Sequence, residues 1–324
     1  ILLLITALIW GAAFVAQSVG MDYIGPFTFS AARDVIAIIV LIPVILLFTD
    51  KGTDGTYPPI LQQLKPDRIT LIGGAWCGLV LGAADTLQQV GISMTTAGKA
   101  GFITDLYIIL VPLTGHFMGR KVPRIIVACV ALAIAGFYLL CINGDFQVSF
   151  GDFLVLCCAV FFALHILVID HFLLKKANSI KLSWVQFATA FLFSGTLTVL
   201  FEHPDWSALW AAKWPLLYAG GLSSGVAYTL QIVGQKYTEP TTATLIMSLE
   251  SVFAALAGWL ILGEVMTAKE LTGCVLVFAA GLAVRAVTDD VEFAVVARLF
   301  VDVVVTPRIL RNHAAFQVRP LPTL

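Results

Sequence analysis

The sequence predicts an all-α polytopic membrane protein whose ten transmembrane helices form two inverted five-helix repeats. Three observations carry this expectation: a composition too apolar for a water-facing surface, apolar runs long enough to cross a bilayer, and a ten-residue segment that occurs twice. Of the 324 residues, 59% are hydrophobic and only 12% charged. A soluble domain is about 25% charged, because its surface has to be solvated. Most side chains here must therefore face lipid or one another. The net charge of −1 offers no basic surface, which excludes nucleic acid as a partner and leaves membrane lipid.

A spanning helix needs about 20 mostly apolar residues. Ten stretches qualify: 1–19, 27–48, 69–92, 99–118, 124–142, 151–171, 181–201, 213–235, 241–262 and 270–287. They are continuous, whereas the strands of a membrane barrel alternate between apolar and polar residues. No basic stretch precedes the opening run Ile1 to Gly20, and more apolar segments follow it. It is therefore expected to be a spanning helix with a trimmed natural N-terminus rather than a secretory signal. All six cysteines (Cys77, Cys129, Cys141, Cys157, Cys158, Cys274) lie inside apolar runs without metal-ligand spacing. They read as small core hydrophobes, and neither a metal nor another cofactor is expected.

Basic residues set the orientation. With the first helix running outward, the inner loops hold ten of them: Lys51, Lys65, Arg68, Arg120, Lys121, Arg124, Lys175, Lys176, Lys181 and Lys236. The outer loops hold three, Lys99, Lys213 and Lys269. This positive-inside bias predicts a cytoplasmic (inner) membrane protein with both ends of the helical body in the cytoplasm. Glu202 to Trp214, rich in aromatic residues, then lies at the outer interface.

Gly82-Ala83-Ala84-Asp85-Thr86-Leu87-Gln88-Gln89-Val90-Gly91 recurs as Gly225-Val226-Ala227-Tyr228-Thr229-Leu230-Gln231-Ile232-Val233-Gly234, with seven of the ten positions identical. The same offset aligns Thr95 with Thr238 and Ala100 with Ala243. A unit of five helices is odd, so the second copy enters the membrane from the opposite side. Inverted repeats of this kind are the architecture through which transporters alternate access. The segment beyond Thr288 differs: Phe293, Val296, Ala297, Phe300 and Val304 share a helical face, but Glu292, Arg298 and Asp302 interrupt it. It is expected to be a cytoplasmic appendage, disordered or lying on the membrane surface.

Several motifs together resemble one family. Ala7-x-x-Trp10-Gly11-x-x-Phe14 is followed by Arg33, and Gly98-Lys99-Ala100-Gly101-Phe102-Ile103-Thr104 by Leu110-Val111-Pro112-Leu113. Ser248-Leu249-Glu250 leads on to Leu262-Gly263-Glu264. The set resembles EamA-type members of the drug/metabolite transporter (DMT) superfamily. The resemblance implies a first EamA-like five-helix repeat at 1–142, a second at 143–287 and a tail at 288–324. It also implies cytoplasmic termini and, commonly, export of amino acids, related metabolites or drugs.

Ionisable and polar groups inside spanning helices are costly, and each marks a candidate site. Arg33, Asp34, Asp85 and Asp105 all fall roughly 9 to 11 Å below the outer surface at about 1.5 Å per residue, with Lys99 slightly above. They are expected to form one outer cluster, a gate or a headgroup site in which Arg33 binds a carboxylate and an aspartate competes for it. Snorkelling side chains that staple the helices together are the structural alternative. Glu250 is expected to centre a second, inner cluster with His165 or Tyr228 beside it, and either Glu250 or His165 could carry a coupling proton. Gln88 and Gln231, paired by the repeat, either bond between helices or line the cavity. Trp10, Tyr107 and Tyr228 could wall a pocket, and Pro112 could kink the fourth helix.

No Walker motif, G-x-S-x-G, H-E-x-x-H or phosphate-binding glycine loop is present, so neither ATP hydrolysis nor a familiar membrane hydrolase is expected. The expected protein is a secondary transporter of a small-molecule solute with a cavity between its halves. The alternatives are an uncoupled facilitator of the same fold and a membrane protein of structural or sensory role.

Overall fold

The computed structural model describes residues 1–49, 57–95, 97–117, 119, 123–141, 149–261 and 267–288. The expected appendage beyond Thr288 lies outside the described residues. All regular structure among the described residues is helical. In chain order the helices are α1 (Leu2–Gly20), α2 (Pro26–Leu47), α3 (Ile60–Leu64), α4 (Arg68–Ile92), α5 (Ala97–Thr104), α6 (Tyr107–Phe117), α7 (Arg124–Cys141) and α8 (Phe150–Leu174). Then follow α9 (Ser179–Phe201), α10 (Trp206–Ala211), α11 (Lys213–Leu217), a π-helical segment (Tyr218–Ala227), α12 (Tyr228–Gln235), α13 (Pro240–Met247), α14 (Glu250–Ile261) and α15 (Ala268–Thr288).

Helix starts follow the capping chemistry of the sequence. Pro26 occupies the first turn of α2, where its missing N–H leaves no intrahelical bond unmade. The carboxylate of Asp67 accepts from the Ile69 and Thr70 N–H groups at 2.9 and 3.0 Å and opens α4. Ser149 and Asp152 close a reciprocal capping box at the start of α8. Asn178 caps α9 through the Lys181 N–H.

Among the described residues, six stretches are long and apolar enough to cross a membrane: Leu2–Gly20, Pro26–Leu47, Arg68–Ile92, Phe150–Leu174, Ser179–Phe201 and Lys213–Gln235. Tyr107–Phe117 and Val127–Gly136 are shorter apolar helices. Their outward faces carry side chains no aqueous surface would tolerate together, among them Leu47, Leu192, Val199, Leu200 and Phe201, all more than 60% exposed. Trp206, Trp210 and Trp214 stand exposed on α10 and α11, with the Lys213 ammonium 4.6 Å from the Trp210 ring centroid. This is the side-chain pattern of a membrane interface.

Two stretches expected to be single helices are not. In 99–118 the helix stops at Thr104 and restarts at Tyr107, and in 241–262 it stops at Met247 and restarts at Glu250. Both interruptions have the same backbone pattern. Leu106 N–H donates to Ile103 O and Ile108 N–H to Asp105 O, three residues back instead of four; Leu249 N–H donates to Ile246 O and Ser251 N–H to Ser248 O in the same way. Leu110 to Leu106 and Phe253 to Leu249 then resume the four-residue spacing. Hydropathy could not reveal this, because neither glycine nor proline marks either point. Pro112, the expected kink, lies inside α6 without ending it.

The main core draws on both halves of the chain, with Phe14, Leu41, Leu81, Phe187, Tyr228 and Met247 in one cluster. A second cluster joins α7 to α15 through Cys129, Ala133, Val277 and Ala280. Small residues let the helices close. Gly78 of α4 abuts the Gln186 carbonyl of α9, and no Cβ would fit there.

Candidate functional site

Between the halves lies a cavity of ≈ 490 Å³ of non-atom space, open solvent at its mouth included. Its apolar wall comes from Trp10, Ala13 and Phe14 of α1 and from Phe162 and Ile166 of α8. Polar groups converge on it from six other elements: Arg33 of α2, Gln88 of α4, Thr104 of α5, Tyr107 of α6 and Glu250 of α14 at the two helix restarts, and Ser223 of the π segment. Gln17, His165, Tyr228 and Gln231 complete the lining.

Arg33 is 2% exposed and forms an ion pair with Asp85, while its Nη1 donates to Gln17 Oε1 at 3.2 Å. Tyr228 donates its hydroxyl to Asp85 Oδ1 at 3.2 Å. Asp85 thus holds a cation on one side and a phenol on the other. Across the cavity, the Tyr107 hydroxyl donates to Glu250 Oε1 at 3.3 Å. Asp105 is buried near Glu250 and Tyr107, and neither of its carboxyl oxygens has a hydrogen-bond partner among the described residues. Gln88 Nε2 donates to Thr104 Oγ1 at 3.1 Å.

Local backbone chemistry places these groups. The π segment contains Gly220, Gly221 and Gly225, and its wider turn leaves the Ser223 carbonyl able to accept both the Tyr228 N–H and the Trp10 indole N–H, the latter at 3.4 Å. Such wide turns recur at functional sites. Trp10 is thereby held against Tyr228, with ring centroids 4.7 Å apart. Gly11, the next residue, lets α1 approach the second helix restart. A Cβ there would lie 2.5 Å from Phe253 Cβ and 2.7 Å from the Glu250 carbonyl oxygen.

The expected outer cluster assembles in part, with Arg33, Asp34 and Asp85 within one another's field. Of the four groups placed on one level, Arg33 and Asp85 pair, but Asp34 accepts from Ser194 of α9 at 3.0 Å and Asp105 joins Glu250. Linear depth along separate helices missed azimuth: Asp34 follows Arg33 by about 100° around α2 and points to a different neighbour. His165 and Tyr228 line the same cavity as Glu250, but neither is hydrogen-bonded to it. Its hydroxyl partner is Tyr107, while Tyr228 binds Asp85 and His165 meets Gln186 through Nε2 at 3.1 Å. Trp10, Arg33, Gln88, Tyr107, His165, Tyr228, Gln231 and Glu250 all line the cavity, and Asp34, Asp85 and Asp105 sit behind that lining. Gln17 and Ser223 were not singled out from sequence, and Phe14 and Thr104 only as members of motifs, not as cavity residues. Gln17, as an amide inside an apolar helix, carried a readable signal; the backbone role of Ser223 carried none.

The arrangement resembles known proteins throughout its length. The model of the EamA-like transporter family matches residues 1–142 and 149–285. An uncharacterized transporter of Archaeoglobus fulgidus is 31% identical over 279 residues, covering 86% of this chain and 82% of the relative. The uncharacterized transporter YoaV of Bacillus subtilis is 24% identical over 278 residues, covering 83% and 90%. A protein crystal structure superposes with a TM-score of 0.71 at 17% identity, over 90% of this chain and 97% of that one, a likeness of fold.

Proposed function

We propose that this chain, which belongs to the EamA-like transporter family of the drug/metabolite superfamily, is a secondary transporter that moves a zwitterionic metabolite of the amino-acid class across the cytoplasmic membrane by alternating access. It is a multi-pass membrane transporter by family and composition. In the finer reading, residues 1–142 and 143–287 are two five-helix repeats of opposite insertion, with the ten spanning segments counted as in the sequence and both ends of the body cytoplasmic. The observation that carries it is the pair of helix breaks at Asp105–Leu106 and Ser248–Leu249, both beside one cavity. Discontinuous helices at a repeat interface are where such transporters bind solute.

The cavity's chemistry selects the solute. Arg33 offers a guanidinium to a carboxylate, for which Asp85 is the resident competitor. Glu250 and the faces of Trp10 and Tyr228 suit an ammonium group. Phe14, Phe162 and Ile166 provide an apolar wall for a side chain. Glu250, a cavity-lining carboxyl bonded to the Tyr107 hydroxyl, is the group placed to exchange a proton as the coupling ion. Export is the direction the family resemblance implies.

Flux in proteoliposomes loaded with a mixture of radiolabelled amino acids tests this reading. Saturable movement of at least one of them is expected, lost in Arg33→Ala. Glu250→Gln transporting as well as the parent at every pH would remove the proton role. Thiol labelling of Lys121→Cys and Lys175→Cys from the periplasmic side would refute the topology.

A further inference from the structure

Two cross-cavity hydrogen bonds share a property that no other bond described above has. Asp85 and Tyr228 are 143 positions apart, and so are Tyr107 and Glu250. This is the repeat offset of the Gly82–Gly91 and Gly225–Gly234 segments. Each bond therefore joins a position in the first half to its own counterpart in the second. Tyrosine and carboxylate are exchanged between the two: the first half supplies the acid at one bond and the phenol at the other.

We infer that these two tyrosine–carboxyl pairs are the pivot of the transport movement and stay made in both its end states. The inference rests on the inverted-repeat reading above. In such a protein, the outward-facing state is obtained from the inward-facing one by giving each repeat the conformation of the other. A contact between residue i of one repeat and residue j of the other is then replaced by the contact between their counterparts. A contact between a residue and its own counterpart is replaced by itself. It has no second arrangement to move to, so it lies on the line about which the halves rotate.

The surrounding packing has the same character. In the ten-segment numbering, α2 and α9 are the second and seventh segments and α7 and α15 the fifth and tenth, each pair counterparts. These pairs pack directly against one another. The individual bonds across the α2 and α9 seam, Asp34 with Ser194 and Glu202 with the Phe27 and Thr28 N–H groups at 3.0 and 2.7 Å, join residues that are not counterparts, so it is the pairing of the helices and not these bonds that persists. Gly136 of α7 is in close contact with the Gly273 carbonyl of α15. By contrast, the Trp10 indole on the Ser223 carbonyl and the Thr6 hydroxyl on the Ala227 carbonyl, at 3.1 Å, join segments that are not counterparts. Those bonds are made in one end state and exchanged for others in the next. Tyr107 and Tyr228 are on this account positioning residues: their hydroxyls hold the carboxyls of Glu250 and Asp85 in place while the walls change.

Reversible bridging separates a pivot from a gate. The full chain is made without its native cysteines, with Asp85→Cys and Tyr228→Cys, reconstituted in lipid nanodiscs and bridged by a short bis-methanethiosulfonate that reductant removes. Hydrogen–deuterium exchange is read at the two helix breaks, 105–110 and 248–253. Exchange at both breaks is expected to stay within about twofold of the reduced protein, whereas a bridge between Trp10→Cys and Ser223→Cys is expected to slow one break about tenfold or more. The pair Tyr107→Cys and Glu250→Cys repeats the first arm if the first protein does not fold. A tenfold loss at one break on bridging either counterpart pair overturns the pivot and makes the pair a gate. Failure of both pairs to bridge refutes their proximity. A reduced protein that exchanges at only one break under all conditions overturns the alternating-access reading itself, and the pivot with it.

Discussion

The Arg33 and Asp85 pair makes a quantitative claim about how this cavity is held open to solute. Both side chains are almost fully buried, at 2% and 3% exposure. Asp85→Asn leaves the guanidinium with neutral acceptors only, Gln17 Oε1 at 3.2 Å and the new amide oxygen, and the nearby field of Asp34. Removing one partner of a buried pair costs about 3 to 5 kcal/mol, because a charge is left uncompensated, and Asp34 places this case near the lower end. Arg33→Gln leaves Asp85 with only the Tyr228 hydroxyl and should cost a similar amount. The double variant carries neither charge. It should be less destabilised than the sum of the singles by about 2 to 3 kcal/mol. Unfolding in mixed detergent micelles, followed by the fluorescence of the seven tryptophans, supplies the four free energies. Effects that add to within about 0.5 kcal/mol would refute an energetic pair. Asp85→Asn should also tighten binding of a carboxylate-bearing solute, since the resident competitor for Arg33 is gone.

Other variants probe the remaining supports. Tyr107→Phe and Tyr228→Phe each keep the ring and delete a hydroxyl bonded to a carboxylate, so each should lose about 1.5 to 3 kcal/mol in the same unfolding assay. Gly78→Ala drives a methyl into the Gln186 backbone carbonyl, which cannot yield as a side chain would; a loss of about 1 to 3 kcal/mol is expected, with weaker α4 and α9 association read by cysteine cross-linking. Asp67→Ala should cost about 1 kcal/mol as a lost cap. The Thr70 hydroxyl and N–H hold the Asp67 carboxyl below its ordinary value of 3.8. A depressed carboxyl stabilises above its unfolded value and loses that contribution as pH falls through the folded one, so the gap between parent and Asp67→Ala should persist at neutral pH and close below pH 3.8.

Much of the molecule was readable because it follows from one-dimensional rules. Continuous apolar runs set the long helices, and Asp67, Ser149 and Asn178 mark helix starts by the chemistry of their side chains. The polar residues that line the cavity were also visible, since a Glu or Arg in an apolar run stands out against its neighbours. Their partners were not. Depth along a helix is a linear quantity, but partnership depends on azimuth and on crossing, which separated Asp34 from Arg33 and sent Asp105 to Glu250. The π segment at Tyr218–Ala227 was hidden as well: Gly220, Gly221 and Gly225 signal close packing, yet the same residues fit an ordinary helix. The Ser223 carbonyl acts through the backbone and leaves no mark on residue type.

The two helix breaks follow from where the polar groups have to go. Residues 105–106 and 248–249 are Asp-Leu and Ser-Leu, neither of which ends a helix by its own preference. A regular helix through either point would keep the backbone satisfied, so the change to three-residue bonding must be compensated by the side chains it positions. At the first point the compensation is Tyr107 on Glu250, with Asp105 alongside; at the second it is Glu250 on Tyr107, reached from the other half. Each break thus directs the group that its counterpart needs. A break imposed by proline would be permanent, whereas one held by a hydroxyl on a carboxylate can respond to the charge of that carboxylate. Under the transport reading proposed above, solute or proton arriving at Glu250 would act on the backbone of both halves at once, which is what coupling between occupancy and conformation requires.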